Sequence, residues 1–244
     1  MNALAIETAT ETVGVAVRTD GGVQAELTLE GRRHHVEALT PALEHLLVQV
    51  GLEVGNLSVI AVDLGPGLFT GLRVGVAAAK GLAQALGLGV IGLSSLDILT
   101  HAAAEAGHRG LVVSVVDARR GEVFATVSEV GGTKGTNGTN RTNRTIVPPG
   151  LFSPEALAAV LAGLRGEPMI ALGDGARRYA EVITPIPGVT AVMDTPAAPP
   201  PGTMLTMAAA LLAQGVAPVE PQLVVPLYMR EADAKSNFAR VTRS

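Results

Sequence analysis

Two apolar runs, one closing on Ile6-Glu7 and one on Val116-Asp117, end on an acid, and the 110-residue interval between them recurs along the chain. Val13 and Val123 each restart an apolar run six residues after that acid. Ile60-Ala61-Val62 matches Ile170-Ala171-Leu172, and Gly65 matches Gly175, again 110 apart. An interval that keeps strand ends, strand starts and a turn glycine in register is the mark of a duplicated lobe. In 244 residues two such copies use up nearly the whole chain.

Each copy reads βββαβαβα. In the first, residues 3–6, 13–18 and 23–29 form a meander with Gly21-Gly22 as one turn. Val36, Leu39, Leu43, Leu46, Leu47 and Val50 then recur at helical spacing around Pro41, and the helix ends at Gly51. A strand at 59–62, a helix at 70–86 closed by Gly87, a strand at 90–93, and a helix capped by Ser94 and Asp97 and stopped by Gly107 complete the copy. The second copy has strands at 111–116, 123–130, near Ile146, 169–172 and 189–193. Its helices are opened by Ser153-Pro154-Glu155, placed after Gly175, and placed at 203–213. The expected division is an N-terminal lobe over 1–107, a C-terminal lobe over 108–217, and a C-terminal extension over 218–244 with a basic tail from residue 235. The Gly/Asn/Thr-rich stretch 131–145 reads as a mobile loop.

Composition narrows the chemistry. With no cysteine the chain has no disulfide, no thiolate metal site and no cysteine nucleophile, and the expected location is the cytoplasm. The longest strongly apolar stretch, 81–96, is short and broken by glycines, so no membrane span is expected, and the N-terminus lacks the basic region of a secretory signal. A net charge of −4 and 2% aromatic residues argue against a chain that holds nucleic acid by itself. His34, His35, His45, His101 and His108 have no i, i+4 pair that would present two rings to one metal ion, and no Gly-x-Ser-x-Gly elbow is present.

Two regions remain. Glu7 and Asp117 would face each other across a cleft between the lobes, with Thr8, Thr10, Arg119 and Arg120 in the adjoining turns. The first turn, Glu7-Thr8-Ala9-Thr10-Glu11, has no glycine to let its backbone approach a phosphate, so this reads as a degenerate nucleotide cleft. The strongest motif is Asp63-Leu64-Gly65-Pro66-Gly67-Leu68-Phe69-Thr70-Gly71-Leu72-Arg73-Val74-Gly75. It follows a buried strand and opens a helix, with Thr70 as the expected N-cap and N–H groups suited to an anion. The helix behind it is apolar almost all round, with a small-residue face of Gly71, Gly75, Ala78, Leu82 and Ala85 that would admit another helix.

Ile6-Glu7-Thr8-Ala9-Thr10, the block from Gly65 to Gly75 with Ala79-Lys80-Gly81-Leu82-Ala83, and Asp117-Ala118-Arg119-Arg120-Gly121-Glu122-Val123 together resemble the TsaB (YeaZ) family. The resemblance implies an α/β fold of two lobes of the actin, sugar-kinase and heat-shock-ATPase type (ribonuclease-H-like). It also implies a non-catalytic subunit that binds and supports a TsaD-like threonylcarbamoyltransferase and works with a TsaE-like ATPase to form threonylcarbamoyladenosine beside the anticodon of tRNA. The catalytic relative carries paired histidines for its metal, which this sequence lacks. This chain would then have no metal, no catalytic residue and no cofactor of its own, with ATP or ADP bound only weakly or in the assembled complex, and tRNA met indirectly.

Carried onto this sequence, the partner surface would use the helices over 35–50 and 70–86, through His35, Leu39, Leu43, Leu46, Phe69, Thr70, Gly71, Arg73, Val74, Gly75, Ala78 and Leu82. Gly75→Arg or Ala78→Arg is then expected to block the heterodimer and leave the fold intact. Two competing readings stay open: a nucleotide-dependent transferase or kinase of the same fold, and a module that forms homodimers through the same helices when the partner is absent.

Overall fold

The computed structural model describes residues 1–31, 35–133, 141–164 and 167–230. Two five-stranded mixed sheets carry the duplication. The first has the order β3-β2-β1-β4-β5, from β1 (Ala3–Glu7), β2 (Thr12–Arg18), β3 (Gln24–Glu30), β4 (Val59–Asp63) and β5 (Val90–Leu93). The second repeats it as β8-β7-β6-β9-β10, from β6 (Gly110–Arg119), β7 (Glu122–Thr133), β8 (Arg141–Phe152), β9 (Met169–Leu172) and β10 (Val189–Val192). In both, the middle strand pairs antiparallel with the next strand of the chain and parallel with the strand that follows a helical crossover. This is the two-lobed actin-like, ribonuclease-H-like α/β fold expected from the sequence.

The helices stack the two sheets into layers. α1 (His35–Gln49) and α2 (Phe69–Leu86) cover one face of the first sheet, over Leu4, Ile6, Val15, Ile60 and Val62. α4 (Pro154–Ala162), α5 (Asp174–Arg178) and α6 (Ala180–Ile183) belong to the matching outer layer of the second sheet, over Val113, Val115 and Val127. The middle layer crosses the boundary expected at 107/108. α3 (Ser95–Glu105) puts Leu96, Leu99 and Ala103 against Val112, Val116 and Leu172 of the second sheet. α7 (Pro201–Ala213), from the second copy, puts Met204, Leu205 and Ala208 against Ala3, Ala5 and Ala61 of the first. Small alanines on the inner faces of β1 and β4 let α7 sit close to the sheet.

Local details depart from the sequence reading in three places. α2 starts at Phe69 with Leu68 at the N-cap position and no side-chain cap, so Thr70 is inside the helix. Ser94 makes no capping hydrogen bond, whereas Ser153 accepts from the Ala156 N–H at 3.1 Å as expected. The stretch 131–145 is not all loop: β7 runs to Thr133 and β8 begins at Arg141, because extended Thr and Asn backbones can continue a hairpin ladder without apolar side chains. The rest of that stretch (134–140), the basic tail (235–244) and His34 lie outside the described residues. Among the described residues no helix is long and apolar enough to cross a membrane.

Past α7 the chain forms a strap. Val219 exchanges two backbone hydrogen bonds of 2.8 Å with Val90 on the β5 edge. Lys80 Nζ donates to the Val224 carbonyl at 2.9 Å, the Leu227 N–H donates to the Leu64 carbonyl at 2.7 Å, and Arg230 donates to the Ala118 carbonyl and pairs with Glu122. The strap therefore runs along the flank of α2 opposite α1 and ends on the second lobe.

Candidate functional site: the inter-lobe cleft and the outer helix pair

Glu7 closes its own turn. Its carboxylate accepts the Ala9 N–H at 2.7 Å, the Thr10 N–H at 3.2 Å and the Thr12 hydroxyl at 3.0 Å, and the side chain is fully buried. The donors that a phosphate would use at the end of β1 are thus taken by the chain itself. The same economy holds at the other strand ends. Asp63 Oδ1 accepts the Gly65 N–H and the Ser95 hydroxyl, both at 2.7 Å. Asp117 Oδ1 accepts the Arg119 N–H at 2.9 Å, and Asp174 Oδ1 accepts the Asp117 N–H at 2.9 Å.

Burial raises the buried acids. Glu7 is pushed well above the usual carboxylate range by desolvation, and secondarily by the charge of Asp63. Asp63 is pushed up to about 7 by desolvation, and its Oδ2 is buried with no hydrogen-bond partner. Asp174 is pushed up to about 6, again by desolvation first. Burial thus disfavours the charged form of these carboxyls. Among the described residues no three His, Asp or Glu side chains converge as a metal site.

Across the cleft the two lobes are joined by Arg119. Its guanidinium donates to Asp117 Oδ2 at 2.9 Å and to Glu11 Oε1 at 2.5 Å, while Arg178 stands 3.6 Å from Asp117 Oδ2. Arg119 has φ 64°, beside Arg120 at 56° and Gly121 at 78°. Arg120-Gly121 is the two-residue turn between β6 and β7, where positive φ at both positions matches the strand twist. A groove of about 680 Å³ opens beside this bridge, lined by Glu11, Arg119 and Arg178 on one side and by His35, Val36, Phe69 and Val74 on the other.

The glycines of the motif are explained by close approach. A Cβ on Gly67 would lie 2.2 Å from the Ala9 carbonyl oxygen, one on Gly71 2.1 Å from the Thr8 carbonyl oxygen, and one on Gly75 2.2 Å from Thr8 Oγ1. The Leu68 N–H donates to the Ala9 carbonyl at 2.6 Å, and the Thr8 hydroxyl donates to the Gly71 carbonyl at 2.8 Å. The spacing of four residues puts all three glycines on the stripe of α2 and its entry turn that rests on the β1–β2 turn. The three glycines are therefore a packing device between two parts of one lobe.

This divides the expected partner residues. His35, Leu39, Leu46, Gly71 and Gly75 are buried within the chain, and His35 Nε2 donates to the Thr10 carbonyl at 2.8 Å. His35 and Gly71 line the groove, Leu39 and Leu46 are 3% and 5% exposed and offer a partner almost no surface, and Gly75→Arg is expected to break the fold before it blocks a partner. Phe69, Thr70 and Arg73 are exposed, and Leu43, Val74, Ala78 and Leu82 are half-buried at the edge of the outer face. The sequence reading missed Val36, 71% exposed, and Ala77, which line a shallow depression of about 460 Å³ with Phe69, Thr70, Arg73 and Val74. It also missed Tyr228 of the strap, whose ring lies 5.3 Å from that of Phe69 and whose hydroxyl accepts from Arg73 Nε at 3.2 Å. An all-round apolar helix gives no phase from which to tell its outer residues. Tyr228 gave no periodic signal at all.

A family model described as TsaD: tRNA N6-adenosine threonylcarbamoyltransferase matches residues 14–238. The chain belongs to that family. Its curated relatives include the tRNA threonylcarbamoyladenosine biosynthesis protein TsaB of Escherichia coli (strain K12), 37% identical over 51% of this chain, and the TsaB protein of Bacillus subtilis (strain 168), 38% identical over 51%. The chain spans about half the length of these curated relatives, 53% of each. The structure of YeaZ from Pseudomonas aeruginosa is 27% identical with a TM-score of 0.77, and the match covers 93% of this chain and 99% of that one. The TsaB resemblance carried by Glu7, the Gly65–Gly75 block and Asp117 is therefore upheld.

Proposed function

We propose that this chain is a non-catalytic subunit in the formation of threonylcarbamoyladenosine in tRNA, acting in the cytoplasm by binding a TsaD-like transferase through the outer faces of α1 and α2. The reading is carried by one observation: the strand-end carboxylates Glu7, Asp63 and Asp117 take up backbone N–H groups of the cleft turns that would otherwise bind phosphate. Arg119 uses its guanidinium on Glu11 and Asp117, which ties the lobes together. Any ATP or ADP then belongs to the assembled complex and to a TsaE-like ATPase, and tRNA is met through the transferase. A heterodimer is the assembly that the TsaB resemblance implies, and self-association is the state expected when the partner is absent.

Co-purification of the full chain with a TsaD-like transferase and a TsaE-like ATPase, followed by a tRNA modification assay with and without the chain, tests this. The expected result is a stable heterodimer and modification that depends on the chain. The transferase description of the family model favours a second reading, catalysis by this chain. ATP turnover by the isolated chain, abolished by Asp117→Ala, would support that alternative.

A further inference from the structure

The strap presents its apolar side chains to solvent. Val224 alone is buried in the core under α2, while Leu223 and Val225 on either side are 65% and 62% exposed, and Leu227 and Tyr228 also stand out. A segment that served only to cover α2 would turn such side chains inward, since exposing several adjacent large apolar groups forfeits their burial. The Lys80 ammonium, which donates to the Val224 carbonyl, and the Leu64 carbonyl, which accepts the Leu227 N–H, hold this outward row in place, with the Val90–Val219 pair anchoring its start.

The row is continuous with the outer face of α2 through the Tyr228–Phe69 ring contact and the Arg73–Tyr228 hydrogen bond. Arg73 Cζ also lies over the Phe69 ring, 3.7 Å from its centre. α1 flanks α2 on the β2 side and the strap flanks it on the β5 side, so three strips lie side by side over the first sheet.

Area argues that all three are used. α2 has 18 residues and is about 27 Å long at roughly 1.5 Å per residue. With α1 beside it, the helix pair offers a footprint of roughly 500 Å², at about 10 Å width per helix. A specific, stable complex buries about 800 Å² on each partner. An extended strap of about seven residues rises roughly 3.3 Å per residue and adds on the order of 200 Å² along the same edge.

We propose that the strap, through Leu223, Val225, Leu227 and Tyr228, is part of the surface that docks the transferase subunit. This rests on the partner reading above. The occupant is that transferase because the strap row continues the face assigned to it and supplies most of the area that the helices lack. By spanning from α2 to Ala118 and Glu122, the strap also brings the docked partner to the edge of the inter-lobe turn.

The test compares the wild-type full chain, Leu223→Asp/Val225→Asp and Ala77→Arg in titrations against the purified transferase, with the thermal midpoint of each variant as the control for folding. The strap variant is expected to bind at least ten-fold more weakly with an unchanged midpoint. Binding within two-fold of wild type, while Ala77→Arg abolishes it, overturns the strap's role and leaves the partner reading standing. No binding by the wild-type chain overturns both. If the strap variant alters only self-association, measured by sedimentation of the chain alone, the occupant is a second copy and the proposal fails. Should that variant not fold, amide exchange of the wild-type chain decides: residues 222–228 are expected to slow at least ten-fold on adding the transferase, and unchanged exchange overturns the proposal.

Discussion

The Thr8 hydroxyl donates to the Gly71 carbonyl at 2.8 Å and fills the space that a side chain on Gly75 would need. Thr8 sits at the end of β1 and is buried, so the first turn of the sheet and the first turns of α2 are locked together. Gly75→Ala places a Cβ against an oxygen held by a hydrogen bond, and overpacking of this kind costs about 1–3 kcal/mol. Urea unfolding should show that loss for Gly75→Ala. Ala77→Arg, two residues on and exposed, should stay within about 0.5 kcal/mol of wild type.

Asp63 and Glu7 give the chain a pH signature. Both acids are raised by burial, Asp63 to about 7, so the folded state binds more protons than the unfolded state between about pH 4 and 7. The slope of stability with pH is then negative in that window: stability is fullest at its acid end, falls as the pair ionises, and levels off above the raised values. Asp63→Asn removes one of these charges while Oδ1 can keep the Gly65 and Ser95 hydrogen bonds. Thermal melts between pH 5 and 8 should be flatter for Asp63→Asn than for wild type, with the variant gaining relative to wild type at pH 8. A wild-type midpoint that rises steadily over this range would contradict the assignment.

The bridge at Arg119 is unequal on its two sides. Glu11 is partly exposed, so Glu11→Ala should cost less than about 1 kcal/mol. Asp117 is buried, and Arg119→Ala takes the guanidinium from Oδ2 and leaves the carboxylate with the backbone N–H at position 119 and the longer Arg178 contact, at a cost of about 2 kcal/mol. Chemical denaturation of the two variants should keep this order. Equal losses would mean that the pairing to Asp117 contributes little.

The duplication and nearly every element were legible in the 110-residue register, because strand ends and turn glycines report directly on backbone geometry. The exchange of α3 and α7 between the sheets was not, since periodicity names the face a helix buries and not the sheet it meets. The cleft acids were found, yet their role was not, because a carboxylate that caps its own turn has the same spelling as one that awaits a ligand. The glycines at 71 and 75 were placed on a partner face for a related reason. Small residues permit close approach, and only coordinates reveal that the neighbour is Thr8 of the same chain.

The most direct measurement of the central claim is a titration of a purified TsaD-like transferase with the wild-type chain and with Ala77→Arg, read by sedimentation and followed by tRNA modification. Ala77 lies on the outer face of α2 beside Phe69 and Val36. The account predicts a heterodimer and chain-dependent modification for wild type, and loss of both for Ala77→Arg with an unchanged thermal midpoint. A transferase that modifies tRNA equally well without the chain, or binds Ala77→Arg as tightly as wild type, would contradict it.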